Sequence, residues 1–292
     1  MMMRSKTNKK SKLRYSYEKK SFQTFITIIV TFCTVFSFIA FFITVVNSAK
    51  TDHEVAFNIF ALPSVENFVS AITGNYSSAW VEIAPYFFRS VFTAFIGAAG
   101  ATMLGALLAY ILVFKDFYFK NAIFMLFIAV MLVPSIIGYP VLLPLMRDTF
   151  KLGDTLAGYM IPTIGGCQVG GMFLFRTFFS QQPKSVYESA KIDGANDVHL
   201  FLHFTMPLSL PIMLYYAVGI FTNMYNDYLW SSLILDSNLT LMPKMLSLVD
   251  SNTLQYGAMY AMYCISSIPM IFVAIISMKY FTSGEFASGM KL

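Results

Sequence analysis

The sequence contains few charged residues for its length. Only 12% of the 292 residues are Asp, Glu, Lys or Arg, whereas 57% are hydrophobic. Soluble domains usually carry about 25% charged residues, and an apolar excess of this size does not fit into one aqueous core. The composition therefore excludes an ordinary soluble domain and predicts that much of the protein surface faces lipid.

Residues that build catalytic or metal sites are also scarce. The chain has three cysteines and three histidines, and all the cysteines lie in apolar segments. Such cysteines indicate neither a disulfide framework nor a metal site. His199 and His203 share a helix face, but a third ligand or an HExxH glutamate would be needed for metal binding, and neither is nearby. We predict no catalytic residue and no bound metal.

The sequence lacks a P-loop. Gly284 and Gly289 have its glycine spacing, but Met290 occupies the position at which the motif requires lysine. The chain is therefore expected to hold no cofactor and to hydrolyse no ATP by this route. ATP and Mg²⁺, if they drive the protein, are expected to bind to a separate partner ATPase.

Positive charge, by contrast, is concentrated at the N-terminus. Of the twenty Lys and Arg residues, eight lie in residues 1–20, which we interpret as a flexible basic tail. The apolar run that follows, Phe22 to Val46, is nearer in length to a membrane span than to the core of a signal peptide. The tail is expected to contact anionic membrane lipid, and no nucleic acid is expected because no second basic surface follows.

Long apolar runs recur along the chain. A span needs about twenty mostly apolar residues, and six segments meet this requirement: Thr24–Val46, Tyr86–Val113, Asn121–Leu145, Thr155–Phe179, Pro207–Leu235 and Gly257–Tyr280. The fourth is interrupted by Pro162, Gly165, Gly166, Gly170 and Gly171, so a kinked or irregular helix is expected there. The predicted transmembrane domain comprises residues 21–281, and a cytoplasmic tail of residues 282–292 follows.

The distribution of basic residues predicts the orientation. With the N-terminus inside, only five Lys and Arg residues fall in outer segments: Lys50, Arg89, Arg147, Lys151 and Lys244. Because basic residues concentrate in cytoplasmic segments, both termini are predicted to be cytoplasmic.

The second span has a small residue at every fourth position. Gly97, Ala101, Gly105 and Ala109 stack on one face, so another helix can approach closely. This face either packs inside the protein or contacts a second membrane subunit, and the sequence leaves both alternatives open.

One predicted cytoplasmic segment, residues 181–206, has the features of two short helices. Pro183 is suited to a helix start, and Gly194 to a left-handed C-terminal cap. Asn196 or Asp197 would cap a second helix that Pro207 closes. Apolar residues within the segment would either dock a cytosolic protein or line a gap between the protein's own helices.

This segment resembles the EAA loop of ABC importer permeases, and we call it the EAA-like loop. The matching residues are Glu188, Ser189, Ala190, Gly194, Phe204, Met206 and Pro207. Asp193, Ala195 and the later Pro211 are similar to the carbohydrate-importer, MalG-like branch of this binding-protein-dependent family. Ser189 replaces the usual middle alanine of the motif, and Phe204 and Met206 replace aliphatic residues.

The resemblance implies a fold, an activity and partners. It implies an all-α membrane protein with about six transmembrane helices, the type I ABC importer permease fold and a cytoplasmic coupling helix. The protein would be a non-enzymatic permease subunit that imports a sugar or oligosaccharide. Its partners would be a second homologous permease, two cytosolic ATPase subunits and an extracellular or periplasmic solute-binding protein, in a bacterial cell membrane.

The resemblance also implies roles for particular residues. The ATPase-coupling residues would be Glu188, Ser189, Ala190, Asp193, Gly194, Ala195, Phe204 and Pro207. The C-terminal tail, with Gly284, Gly289 and Lys291, is similar to the family's tail and would contact the ATPase dimer.

A possible substrate pathway lies in the fifth span. Asp227 is the one carboxylate placed inside a span, and Tyr225, Asn226 and Tyr228 could offer rings and polar groups to a sugar. Alternatively, Asp227 is solvated at the interface or caps a helix. A rival function, an ion-gradient-driven secondary transporter or channel, would require charged relays and repeated halves, which the sequence does not show.

Overall fold

The computed structural model describes the backbone of residues 3–251 and 255–282 and the side chains of residues 22–251 and 255–278. All regular structure within these ranges is helical. The α-helices are Met3–Ser48 (α1), Asp52–Phe57 (α2), Phe68–Phe114 (α3), Lys120–Met131 (α4), Tyr139–Pro144 (α5), Leu156–Phe179 (α6), Lys184–Ile192 (α7), Asp197–Leu200 (α8), Met206–Tyr225 (α9), Leu229–Ile234 (α10), Leu241–Asp250 (α11) and Tyr256–Thr282 (α12).

The chain forms two compact units. The smaller comprises Met1–Ser78 and Gln255–Cys264, and the larger comprises Ala79–Leu254 and Ile265–Leu292. The larger unit contains the EAA-like loop. Helix α1 begins at Met3, so the segment expected as a flexible tail continues the first span as a helix. Lys and Arg favour helix formation, and neither proline nor glycine interrupts residues 1–20.

The described helices include four that are long and apolar enough to cross a membrane, or five if a bent pair counts as one span. The expected total of about six included α6, which this criterion does not select. Glycine, proline, threonine and glutamine lower the hydropathy of α6, although its 24 residues are sufficient to cross the hydrocarbon layer. The all-helical membrane fold confirms the fold class that the family resemblance implied.

The third expected span, Asn121–Leu145, is broken into two helical segments. Helix α4 ends at Met131, and the helical segment Ser135–Thr149 continues at an angle of 94°. Pro134 begins the new segment with extended backbone, at φ −59° and ψ 127°. Proline lacks a backbone N–H and disfavours helical geometry in the residue before it, so the helix stops there.

The fourth span is a continuous α-helix with no break at its proline or glycines, and the kink expected there stays a prediction. Pro162 lies inside α6 and removes one backbone hydrogen bond without ending the helix. In an apolar environment a continuous helix satisfies nearly every backbone polar group, and this outweighs the low helix propensity of glycine.

The fifth span also differs from the prediction. A continuous helical segment, Asp197–Tyr225, includes α8, a π-helical turn over Phe201–Thr205 and α9. Pro207 therefore does not close a separate short helix, because the π-turn before it accommodates the altered hydrogen-bond pattern. The span ends at Tyr225 rather than at Leu235, and α10 follows as a separate helix.

The small-residue face of α3 packs inside the larger unit. A Cβ atom added at Gly105 would lie 2.9 Å from the backbone oxygen of Gln168 in α6, and one at Gly97 would collide with the sulfur of Met224 in α9. Ala101 and Ala109 are fully buried. The structure therefore supports internal packing as the role of this face.

A buried lysine organises the smaller unit. The Lys50 ammonium donates hydrogen bonds to Asn47 Oδ1 at 3.0 Å, the Asn58 oxygen at 3.0 Å and the Ile59 oxygen at 3.2 Å. Burial lowers the pKa of Lys50. The three acceptors compensate much of the cost of removing the ammonium from water, so Lys50 holds the turn after α1 closed.

Replacing Gly105 by alanine tests the close approach of α3 to α6. We expect Gly105→Ala to destabilise the protein by about 1–3 kcal/mol, because the new methyl group meets backbone atoms that cannot move aside. Gly74→Ala, on the same helix, is the control, since nothing lies within 4 Å of a Cβ atom there. Thermal unfolding of both variants in detergent measures the difference, and equal melting temperatures would contradict the packing.

Candidate functional site

The first helix of the EAA-like loop ends in a left-handed glycine cap. Helix α7 follows Pro183 and ends before Gly194, which has φ +85°. The Gly194 N–H donates to the Lys191 oxygen at 3.0 Å, and the Ala195 N–H donates to the Ala190 oxygen at 2.9 Å. This pair of bonds is the Schellman motif. The glycine cap and the helix start agree with the sequence prediction.

The second helix of the loop begins at a side-chain cap. Asn196, rather than Asp197, is the capping residue, and its Oδ1 accepts a hydrogen bond from the His199 N–H at 2.8 Å. Asp197 instead forms an ion pair with Lys115, which follows the end of α3. The start of the second helix is therefore tied to α3.

Tyr187 anchors α7 to the rest of the larger unit. It is buried, and its ring lies 4.3 Å from that of Phe114 in α3. Its hydroxyl contacts Gln182 and Thr205, the latter at 3.0 Å. Gln182 in turn donates to the Ser209 hydroxyl at 2.8 Å, in the first turns of α9. One side chain thus connects α7 with α3 and α9.

The inner face of the EAA-like loop belongs to a hydrophobic core. Ala190, Leu200 and Phe201 are buried in it, and Ala195 and Phe204 pack against it. Phe175 and Phe179 of α6 belong to the same core. Part of the loop's apolar surface therefore fills a gap between the protein's own helices, which was one of the two alternatives.

The outer face of the loop remains exposed. Glu188, Ser189 and Asp193 are exposed there, and Glu188 has no ion pair or hydrogen bond to any described residue. Ile192 is 87% exposed and Val198 is 65% exposed. Such apolar side chains beside carboxylates form a surface suited to another protein.

A small cleft lies beside the glycine cap. Its volume is about 410 Å³, and its lining includes Asp193, Gly194, His199 and Phe204. His199 stacks on His203 with ring centroids 4.1 Å apart. Among the described residues, no group of three potential metal-binding side chains occurs.

A larger cavity of about 730 Å³ lies where the broken third span, α6, α9 and α10 meet. Tyr139, Asn223 and Trp230 contribute its aromatic and amide groups. The rings of Tyr139 and Trp230 lie 5.2 Å apart at 30°, and the Trp230 indole N–H donates to the Tyr159 oxygen at 3.2 Å. The tryptophan is thereby fixed in orientation.

Comparison with known proteins identifies the family. The family described as "Binding-protein-dependent transport system inner membrane component" matches residues 101–284, a range that includes the EAA-like loop and the cavity. The chain belongs to this family. It is therefore a membrane permease subunit of a binding-protein-dependent ABC importer and not an enzyme.

Several relatives of this permease carry names of transport systems. It is 27% identical over 235 residues to the diacetylchitobiose uptake system permease protein NgcG of Streptomyces coelicolor, covering 78% of this chain and 75% of the relative. It is 24% identical to the trehalose/maltose transport system permease protein MalG of Thermococcus litoralis, with coverages of 78% and 81%. The sn-glycerol-3-phosphate transport system permease protein UgpE of Pectobacterium atrosepticum is 28% identical, with coverages of 63% and 66%.

A solved structure has the same fold. A chain of a bacterial ABC transporter involved in the import of the acidic polysaccharide alginate superimposes on the permease with a TM-score of 0.73, covering 89% of this chain and 97% of that chain. The two sequences are 19% identical, so the likeness concerns the fold.

The residues expected in the substrate pathway of the permease do not share one site in the structure. Tyr225 is buried, and its hydroxyl donates to the Ser266 oxygen of α12 at 2.7 Å, so it braces two helices and does not line the cavity. Asp227 accepts hydrogen bonds from the backbone of Trp230 at 3.4 Å and of Ser231 at 3.1 Å, which makes it a cap for α10. Capping a helix was the alternative to a role in the substrate pathway that the sequence left open for Asp227.

The remaining predicted residues are placed as follows. Asn226 is exposed and donates to the Thr222 oxygen at 2.9 Å, and Tyr228 is 45% exposed. Neither lines the 730 Å³ cavity. The tail residues Gly284, Gly289 and Lys291 lie outside the described residues, so their contact with an ATPase stays a prediction.

Sequence reasoning missed the cavity residues of the permease. Tyr139, Asn223 and Trp230 come from three segments that are brought together only by packing. One usable signal was the proline pair Pro134 and Pro140, because two prolines in an apolar run of this length indicate a broken span lining a cavity.

Asp154 fixes the position of α10, which carries Trp230. Its carboxylate accepts hydrogen bonds from the backbone N–H groups of Asp236, Ser237 and Asn238 at 2.9–3.0 Å. Its own N–H donates to the Ile234 oxygen at 2.9 Å. The Ser237 hydroxyl, together with these backbone groups, lowers the pKa of Asp154 to about 2. The charged form is therefore the one that the fold stabilises.

This pKa predicts a pH-dependent contribution to stability. Because the pKa is lower in the folded than in the unfolded chain, where it is about 3.9, the contribution is complete above about pH 4 and is lost as the pH falls towards about 2. Asp154→Asn keeps a residue that tolerates the φ of +53° but has no charge. We expect its melting temperature in detergent to lie below that of the unmodified protein at pH 6 and to converge with it as the pH falls to about 2. A constant difference across this range would contradict the assignment.

Proposed function

We propose that the permease imports a neutral or weakly charged sugar or oligosaccharide, in an ATP-driven assembly that its EAA-like loop couples to ATP hydrolysis. The observation that carries this proposal is the construction of the loop. Its inner face is fixed to α3, α6 and α9 by the core and by Tyr187, whereas its outer face presents Glu188 and Ile192 without partners among the described residues. The saccharide names of several relatives support the substrate class.

The proposed assembly contains this permease, a second homologous permease, two cytosolic ATPase subunits and an extracellular or periplasmic solute-binding protein. ATP and Mg²⁺ bind to the ATPase subunits. The EAA-like loop and both termini face the cytosol of a bacterial cell, as the distribution of basic residues favours. In this orientation the solute-binding protein delivers the sugar from the opposite side.

The loop is built to move as one body with the spans. In the proposal, Glu188, Ser189 and Asp193 contact the ATPase, and the Gly194 cap holds the bend between the two short helices. Ala190, Ala195 and Phe204 attach the loop to the core, and Pro207 lies in the helix that leaves it. A displacement of α7 is then transmitted through Tyr187 to α3 and α9, which alternates access to the central cavity.

An ion-gradient-driven transporter is less well supported. Such a mechanism requires charged groups within the spans that can exchange protons or ions. The carboxylate of Asp227 is instead engaged with the backbone of α10. The family to which the chain belongs also favours an ATP-driven mechanism.

Charge placed on the outer face of the loop tests the docking of the ATPase. Ile192→Glu should leave the permease folded, because the side chain is 87% exposed. It should reduce co-purification of the ATPase subunits at least fivefold, because an unpaired carboxylate would be buried in the interface. Gln181→Glu, which adds the same charge at the exposed start of the loop, is the control. Full recovery of the ATPase with Ile192→Glu would exclude this docking surface.

The Gly194 cap provides a second test. Gly194→Val should abolish ATP-dependent uptake into proteoliposomes containing the assembled importer, while membrane insertion stays normal. A β-branched residue is strained at φ +85°, although the space around it is open. Gly194→Asn tolerates this backbone conformation and should retain most of the uptake. The assay uses a panel of radiolabelled maltose, arabinotriose, diacetylchitobiose and sn-glycerol 3-phosphate; normal uptake with Gly194→Val would refute the role of the cap.

A further inference from the structure

An exposed apolar loop follows α2 in the smaller unit. This apolar loop, residues 57–65, begins at the last residue of α2 and leads towards α3. Phe57 and Phe60 are each 80% exposed, and Leu62 is 75% exposed. Residues 55–65 carry no formal charge. Several large apolar side chains exposed within one short segment mark a contact with another protein or with a membrane.

The backbone of the apolar loop is held from its inner side. The Ile59 oxygen accepts hydrogen bonds from the Lys50 ammonium at 3.2 Å and from the side-chain amide of Asn47 at 3.0 Å. Further along the chain, the Glu54 carboxylate accepts a hydrogen bond from the Ser64 N–H at 3.1 Å. Because the loop is tied down near its start and near its end, the exposure of its apolar side chains is a fixed feature of the fold.

The same hydrogen bonds place the loop beside the end of the first span. The span Phe22–Ser48 has 27 residues, and about twenty are enough to cross the hydrocarbon layer, so its last turn reaches the membrane boundary. Asn47 belongs to that last turn, and its amide contacts the Ile59 oxygen. The side chains of residues 22–42 of the span are all exposed, as lipid contact requires. The apolar loop therefore continues the lipid-facing surface of α1 at the boundary.

Lipid suits this surface better than a protein partner does. Apolar faces that lie on a membrane are buried about 5–10 Å into the boundary between headgroups and acyl chains, a depth that phenylalanine side chains can reach from a backbone at the surface. Protein interfaces form about one hydrogen bond per 100–200 Å², but the Asn58 and Ile59 oxygens and the Ser64 N–H are already bonded within the smaller unit. Acyl chains require no hydrogen bonds and no charge.

We propose that the apolar loop inserts into the membrane surface at which α1 ends, so that lipid acyl chains cover Phe57, Phe60 and Leu62. The inference goes beyond the proposed function, because it depends neither on the transported substrate nor on ATP. It gives the smaller unit a second lipid contact besides the span itself, and this contact fixes the level of the turn after α1 relative to the bilayer. Because residues 55–65 are uncharged, the contact does not require anionic lipid.

A tryptophan placed in the loop tests the contact with lipid. Phe60→Trp should leave the fold unchanged, because the side chain is exposed. The assembled importer is placed in nanodiscs of phosphatidylcholine whose acyl chains carry bromine, which quenches tryptophan on contact. The emission that the new tryptophan adds to that of the unmodified importer should fall at least twofold relative to nanodiscs without bromine. Bromine near the headgroup end of the chain should quench more than bromine near the methyl end, because the insertion is shallow.

Glu66→Trp is the matched control. Glu66 is exposed just beyond the loop, and its charge is costly to place in hydrocarbon, so this position should lie in water. Iodide added to the solution should quench Glu66→Trp, and brominated lipid should not. For Phe60→Trp we expect the reverse, with the same result when phosphatidylglycerol replaces part of the phosphatidylcholine.

Two results would overturn the proposal. One is an equal response of the two variants to brominated lipid, which would mean that the loop has no lipid contact of its own. The other is quenching of Phe60→Trp by iodide that stops when the solute-binding protein is added, because a protein would then cover the loop. Both readouts are independent of uptake and of ATP hydrolysis, so a failure here is distinguishable from a failure of the proposed function.

Discussion

Lipid offers no hydrogen-bond partners to a peptide backbone, so a membrane-spanning chain can break its helices only where protein or a polar cavity covers the exposed groups. The larger unit of this permease follows that constraint. The third span breaks at Pro134 beside the 730 Å³ cavity, and the carboxylate of Asp227 caps α10 after the break that ends α9. The cavity is thus bordered by the irregular points of the fold.

The two faces of the EAA-like loop differ, because the inner face is packed against other helices and the outer face is exposed. Its inner face is fixed by aromatic packing, a buried hydroxyl and amide network around Tyr187, and the ion pair between Lys115 and Asp197. Its outer face keeps apolar and acidic side chains in solvent. In the proposed assembly, this arrangement lets a protein bound to the outer face displace α3 and α9 with little internal deformation of the loop.

The loop and the cavity share helices. Helix α9 begins at the loop, contributes Gly219 and Asn223 to the cavity, and ends at the break before α10. Helix α6 likewise contributes Phe179 to the core beneath the loop and Gly166 to the cavity. Because packed helices move as units, α6 and α9 join the core beneath the loop to the cavity, in agreement with the proposed coupling.

By itself, the sequence determined the membrane class, the approximate positions of most spans, the glycine cap at Gly194 and the family resemblance of residues 181–206. These properties depend on local composition, on residue spacing and on the one residue type that adopts a positive φ without strain. Only the tertiary structure decided that the face around Gly105 packs internally, that Tyr225 and Asp227 support neighbouring helices, and that Tyr139 meets Trp230. The physical reason is that these relations join segments far apart in the chain, and whether a side chain braces a helix or faces a cavity depends on which helix lies opposite.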